Sequence, residues 1–206
     1  MRTITPETEM YYRTDVILKY LVREYIEMFD DFKSNLLRKD ELNTLEKVNS
    51  LYSRLVDVTV EKLLELAQLQ FEYIMQGDFD YNIIDDAWLQ EIFNKYNEVM
   101  KYVYSNEIDR KRSYLFEALM SSDSPTTEID KALRLWSIMV GQMTVDVTDE
   151  ATLTAYRLNG IGFVKWVSEQ DSKTCSHCAD LDGEVFPIDE VSPKPHPNCR
   201  CSYIPA

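Results

Sequence analysis

Apolar residues recur at spacings of three and four along most of the chain, the period of a helix with one buried face. Leu45, Val48, Tyr52 and Leu55 set the rhythm, and Leu66, Leu69 and Tyr73 carry it towards MQGDFD, which predicts a long amphipathic helix ending near Gly77. Upstream, Thr5-Pro6 reads as a cap followed by proline at the first helical position, where the missing N–H costs nothing, so a helix runs from there into DDFKSNLL. A third helix begins after Asp85 or Asp86, with Leu89, Phe93, Tyr96, Met100 and Val103 on one face. Ser124-Pro125 repeats the cap-then-proline signal, and Leu133, Trp136, Val140, Met143 and Val147 form the stripe of a fourth. An interruption of that helix would fall around GQMTVDVTDE, where β-branched residues cluster and Asp149 could cap a fresh start. Mixed aromatic and aliphatic stripes of this kind pack helix against helix.

The pattern changes at Asn159-Gly160, a helix stop because glycine accepts the left-handed conformation beyond the last turn. Phe163, Lys165 and Val167 then alternate with Val164 and Trp166, the period of a strand. Gly183 in DLDGEVF turns the chain into a second strand, and CRCSYI offers a third. The predicted fold is mainly α, and α+β over the whole chain: a long-helix N-terminal bundle over 1–159, followed by a small β-rich unit over 160–206. A unit that small buries little surface alone and needs a staple.

Composition agrees. Only 5 glycines and 7 prolines occur in 206 residues, and three of the prolines sit in SPKPHP, so most of the chain lacks the punctuation of an all-β fold. The 36 acidic residues against 22 basic ones give a net charge of −14, which repels a phosphate backbone and does not attract anionic lipid. Direct nucleic-acid binding is therefore not expected. Neither is a membrane role: MRTITPETEMYYRTDV has no apolar leader, and no stretch approaches the roughly 18 apolar residues of a membrane span. Synthesis in the cytoplasm follows as the expectation.

All 4 cysteines and both histidines fall between Cys175 and Cys201. Cys175-Ser176-His177-Cys178 has the two-residue gap that aims two thiolates at one ion, and HPNCRC supplies the second half. On a strand, Cys199 and Cys201 would point to the same side and Arg200 away. Four sulfurs fit one closed, structural, tetrahedral zinc, and His196 in place of a thiolate fits almost as well. Cys175, Cys178 and Cys201 are expected in either set, with Cys199 and His196 competing for the fourth place. His196 lies between Pro195 and Pro197, which stiffen its backbone. His177 reads as an exposed residue of the knuckle. Two disulfides remain open on an even count, and so does a catalytic zinc with His196 or His177 as base. A thioredoxin-like pair would need an α/β setting, and a c-type haem site a histidine where Ala179 stands.

The run GIGFVKWVSEQDSKTCSHCADLDGEVFPIDE, continuing to PHPNCRC, resembles the C-terminal signature of the phage head morphogenesis family, minor head proteins similar to the F protein of phage Mu. The shared pattern is a glycine-ended helix, a short strand with tryptophan, Asp171 before Thr174-Cys175, the CxxC, LDGEVFP and HPNCRC, with a terminal IP. It covers about a quarter of the chain, from Ala151 to Ala206. The resemblance implies a minor capsid protein of the virion or procapsid, a structural and interaction partner of portal or major capsid protein rather than an enzyme. It carries Cys175, Cys178, His196, Cys199 and Cys201 over as metal cluster members and Gly183, Pro197 and Arg200 as framework positions. The alternative is a zinc-dependent enzyme such as a nuclease or peptidase.

Overall fold

The computed structural model describes residues 6–36, 41–75, 86–197 and 199–206, and side chains from residue 14 onward outside 86–93 and 95–102. The described residues are mainly helical, with one small sheet. The long helices are α1 (Pro6–Asn35), α2 (Glu41–Met75), α3 (Asp86–Ser121) and α4 (Pro125–Leu158). Then come β1 (Phe163–Val167), a short helix α5 (Ser176–Asp180), β2 (Val185–Pro187), a 3-10 turn over Ile188–Glu190, and β3 (Ser202–Pro205). The Thr5 cap, the stop near Gly77, Asp85, and the side chains of Leu89, Phe93, Tyr96 and Met100 lie outside the described residues. The last member of that stripe, Val103, is 60 % exposed and does not continue a buried face.

One compact unit comprises α1, α2 up to Lys62, α3 from Lys95 and α4 up to Val140. Its core follows helical spacing, with Leu21, Tyr25 and Phe29 from α1, Val48, Tyr52 and Leu55 from α2, and Leu115 and Leu119 from α3. Trp136 of α4 is fully buried and meets Tyr25 and Tyr52 edge-to-face, at centroid distances of 6.2 and 5.5 Å. This geometry suits the ring quadrupoles and adds to the area buried. The Tyr25 and Thr59 hydroxyls pair at 2.6 Å, and Tyr52 donates to the Lys111 carbonyl at 3.0 Å, so neither phenol is stranded in the core.

The second unit comprises α2 from Leu63, α3 up to Asn94, α4 from Gly141 and everything after it. Helix α4 runs unbroken through GQMTVDVTDE, contrary to the interruption read from its β-branched residues. Val145 and Val147 are buried, Thr148 and Thr152 donate their hydroxyls to carbonyls four residues back, and Gln70 of α2 reaches the Thr152 hydroxyl at 2.7 Å. Burial and hydroxyl satisfaction outweigh the modest helix penalty of β-branching. Asp149, expected as a cap, is spent instead on an ion pair with Lys194.

The stop at Asn159-Gly160 is a Schellman turn. Gly160 has φ of +72°, its N–H meets the Arg157 carbonyl at 3.0 Å, and the Ile161 N–H meets the Tyr156 carbonyl at 3.1 Å. The chain emerges into an antiparallel sheet of order β2-β1-β3. Val164 lies opposite Phe186 and Pro205, and Trp166 opposite Tyr203. Val164, Trp166 and Tyr203 form a core with Leu153 and Tyr156 of α4, Ile188, Cys178 and Cys201. The residues after Gly160 thus bury their apolar face against the end of α4.

Candidate metal centre

The β1-to-α5 loop is held by carboxylates. Asp182 accepts from the Ser168 N–H at 2.7 Å and from the Gln170 side chain. Asp171 accepts from the Lys173 N–H at 2.9 Å and the Thr174 hydroxyl at 3.2 Å, which folds DSKT into a turn that delivers Cys175. Cys175 caps α5, its sulfur accepting from the Cys178 N–H at 3.4 Å. One helical turn places Cys178, fully buried, behind it, while His177 faces solvent.

The second half of the cluster comes from the loop ahead of β3. Cys199 and Cys201 precede the strand, which begins at Ser202, so the strand alternation read from the sequence does not aim them. They converge nonetheless: Cys178, Cys199 and Cys201 form one group of donor atoms within 4.8 Å of one another, and Cys175, Cys178 and His196 form another. Cys178 belongs to both. Its sulfur lies 3.7 Å from that of Cys199 and 3.6 Å from the His196 Nε2. A tetrahedral site with metal–sulfur bonds of about 2.3 Å has sulfurs about 3.8 Å apart, whereas a disulfide requires about 2.05 Å. The spacing is that of ligands around an ion.

Arg200 grips Asp171 with both guanidinium nitrogens, at 2.8 and 2.5 Å. This bidentate pair joins the two ligand-bearing segments, and the Arg200 guanidinium, helped by the Lys173 N–H, holds the Asp171 carboxyl far below its usual range. The motif marked both residues, but only the fold shows that they meet.

Electrostatics agree with a cation site. The Cys178 N–H, then the Cys178 side chain and His196, pull the Cys175 thiol down. Burial, reinforced by the neighbouring sulfurs of Cys175, Cys201 and Cys199, pushes the Cys178 thiol well up, and burial does the same for Cys201. The raised thiols of Cys178 and Cys201 hold their protons more tightly than free cysteines, and a positive ion at the cluster would displace them. The donor set therefore fits a soft divalent metal, with Cys175, Cys178, His196, Cys199 and Cys201 all able to hold it.

Residues 132–204 match the family model described as "Phage Mu protein F like protein". The C-terminal region resembles the Mu F-like phage head morphogenesis proteins. That family is one of structural head proteins, so the match connects this region with head morphogenesis. It covers about a third of the chain and starts inside α4, earlier than the Ala151 boundary of the sequence motif. The added stretch contains Asp149, whose partner Lys194 precedes the histidine ligand candidate. No curated protein and no solved structure matches the chain. Among the described residues, no helix is long and apolar enough to cross a membrane.

Proposed function

We propose that this chain is a minor head protein of a phage or prophage, acting by binding other head components at the portal vertex during assembly. The observation that carries the reading is the family match over 132–204. The helices supply the contact surface, with portal or major capsid protein as partner, and the protein resides in the procapsid or virion. The C-terminal unit is a rigid cap built on one structural zinc. Four cysteines and a histidine offer more donors than a tetrahedral ion needs, which favours a closed site over one with a water-bearing position. Zinc suits a site of thiolates and imidazole, and the protons these thiols keep without a cation would leave when it binds. Domain limits of 1–159 and 160–206 remain part of the proposal.

Co-expression with portal, scaffold and major capsid proteins tests the role. The full chain is expected to co-purify with portal or procapsids, and a chain ending before Ile161 to assemble poorly. Full-length protein that never accompanies either, yet cleaves DNA or peptide in a metal-dependent way, replaces this reading with the zinc-enzyme alternative.

A further inference from the structure

The metal cluster does not account for the most buried charge in the C-terminal unit. Lys194 lies in SPKPHP with its side chain only 4 % exposed. Its ammonium donates to the Asp149 carboxylate of α4 at 2.5 Å and to the Cys201 carbonyl at 2.5 Å, and sits 4.7 Å from the centre of the Tyr203 ring. Three elements therefore meet at one nitrogen: α4, the proline-rich loop and the lead into β3. Tyr203 is itself pinned, its hydroxyl donating to the Ser192 carbonyl at 3.1 Å and its own carbonyl accepting from the Tyr156 hydroxyl at 3.1 Å.

A lysine is seldom buried unless its charge is matched, and removing one partner of a buried pair leaves the other charge uncompensated. Here the match comes from outside the loop, while the second hydrogen bond goes to the backbone of a metal-ligand candidate. Pro193 and Pro195 flank Lys194 and restrict the backbone on both sides of it, so the loop carries His196 away from a fixed point. We propose that the Lys194–Asp149 pair positions the metal centre: it orients the Cys201 peptide so that its sulfur faces Cys178, and sets the start of the His196 loop. Lys194 is a positioning residue and not a ligand, because its ammonium is engaged with Asp149 and Cys201. The inference rests on the metal-binding reading above and adds α4 to the machinery of that site.

The test uses full-length reduced protein, titrated with Co²⁺ and with Zn²⁺ against a chromophoric chelator. Co²⁺ reports its ligand geometry through its visible bands. Lys194→Met keeps length and removes the ammonium, but strands Asp149; Lys194→Met with Asp149→Asn removes both charges. The double variant is expected to keep the wild-type melting temperature, to bind both ions about 10-fold or more weakly, and to shift the Co²⁺ bands, a loss typical of outer-shell partners of metal ligands. Asp149→Asn alone strands the Lys194 ammonium and is expected to melt below the double variant, which separates the cost of an unmatched charge from the loss of positioning. Wild-type affinity and spectrum in the double variant overturn the inference. So does its failure to fold, since the pair would then serve the fold and not the ion. Wild-type protein that binds neither ion overturns the metal reading and this inference together.

Discussion

Single side chains divide here into those that fill space and those that tie segments together. Asp171 and Arg200 are of the second kind, joining the loop before Cys175 to the Cys199–Cys201 segment. Arg200→Ala is expected to leave the helices unchanged and to speed metal transfer to a chelator about 10-fold, the lower end of outer-shell effects, because the pair is partly exposed. Stopped-flow chelation would show it, and an unchanged rate would mean that the clamp is ornamental to the site. Tyr25 does both, filling the core and meeting Thr59 of α2. Burial pushes its phenol up to about 12, with the Thr59 hydroxyl and Trp136 pulling modestly the other way. The unfolded chain releases that proton near 10 and the folded chain only higher, so the unfolded state gains from deprotonation first and stability falls as pH rises above about 10. Tyr52, raised by burial as well, adds to the same loss. Tyr25→Phe is expected to cost about 1 kcal/mol at neutral pH through the lost Thr59 bond, and to flatten the alkaline fall. Urea midpoints across pH 8 to 11 measure both.

Helix α4 matters most among the elements, because it contributes to both compact units. Its end is set by Gly160, whose φ of +72° favours a residue without a side chain, although an added Cβ would meet no atom within 4 Å beyond its chain neighbours. Gly160→Ala is therefore a test of backbone strain alone and is expected to cost about 1 kcal/mol, read as a lowered thermal midpoint. A neutral result would mean that the turn relaxes without loss. In the first half of α4, Trp136 is buried between Tyr25 and Tyr52. Trp136→Ala is expected to cost about 3 to 5 kcal/mol by leaving a cavity lined by those rings, seen in chemical denaturation.

For the whole molecule, the packing of β1, β3 and the cluster onto Leu153 and Tyr156 determines what metal loss does. Chelation or Cys175→Ser is expected to free the sheet and loosen the last turns of α4, while far-UV circular dichroism stays strongly helical. Hydrogen exchange would then show protection lost over 160–206 and retained between Val48 and Val60, whose buried faces belong to the other unit. Collapse of all helical signal would place the metal at the centre of the entire fold.

Periodicity and punctuation were enough to read four long helices, the stop at Asn159-Gly160 and three short strands, because amphipathic spacing and a left-handed glycine are local consequences of which residues stand in order. The composition of the cluster was legible for the same reason: two halves of a thiolate site are visible as CxxC and HPNCRC. Local rules failed in the second half of α4, where β-branched residues and Asp149 argued for a break that tertiary burial overrode. They failed also at Cys199 and Cys201, aimed by a loop and not by a strand. Neither the Asp171–Arg200 clamp nor the Lys194–Asp149 pair could be read from spacing, since their partners lie 29 and 45 residues apart. Residue order thus sets which elements form and which atoms could bind a metal, whereas which side chains meet depends on how separate segments pack to bury their apolar faces and satisfy the charges they carry inside.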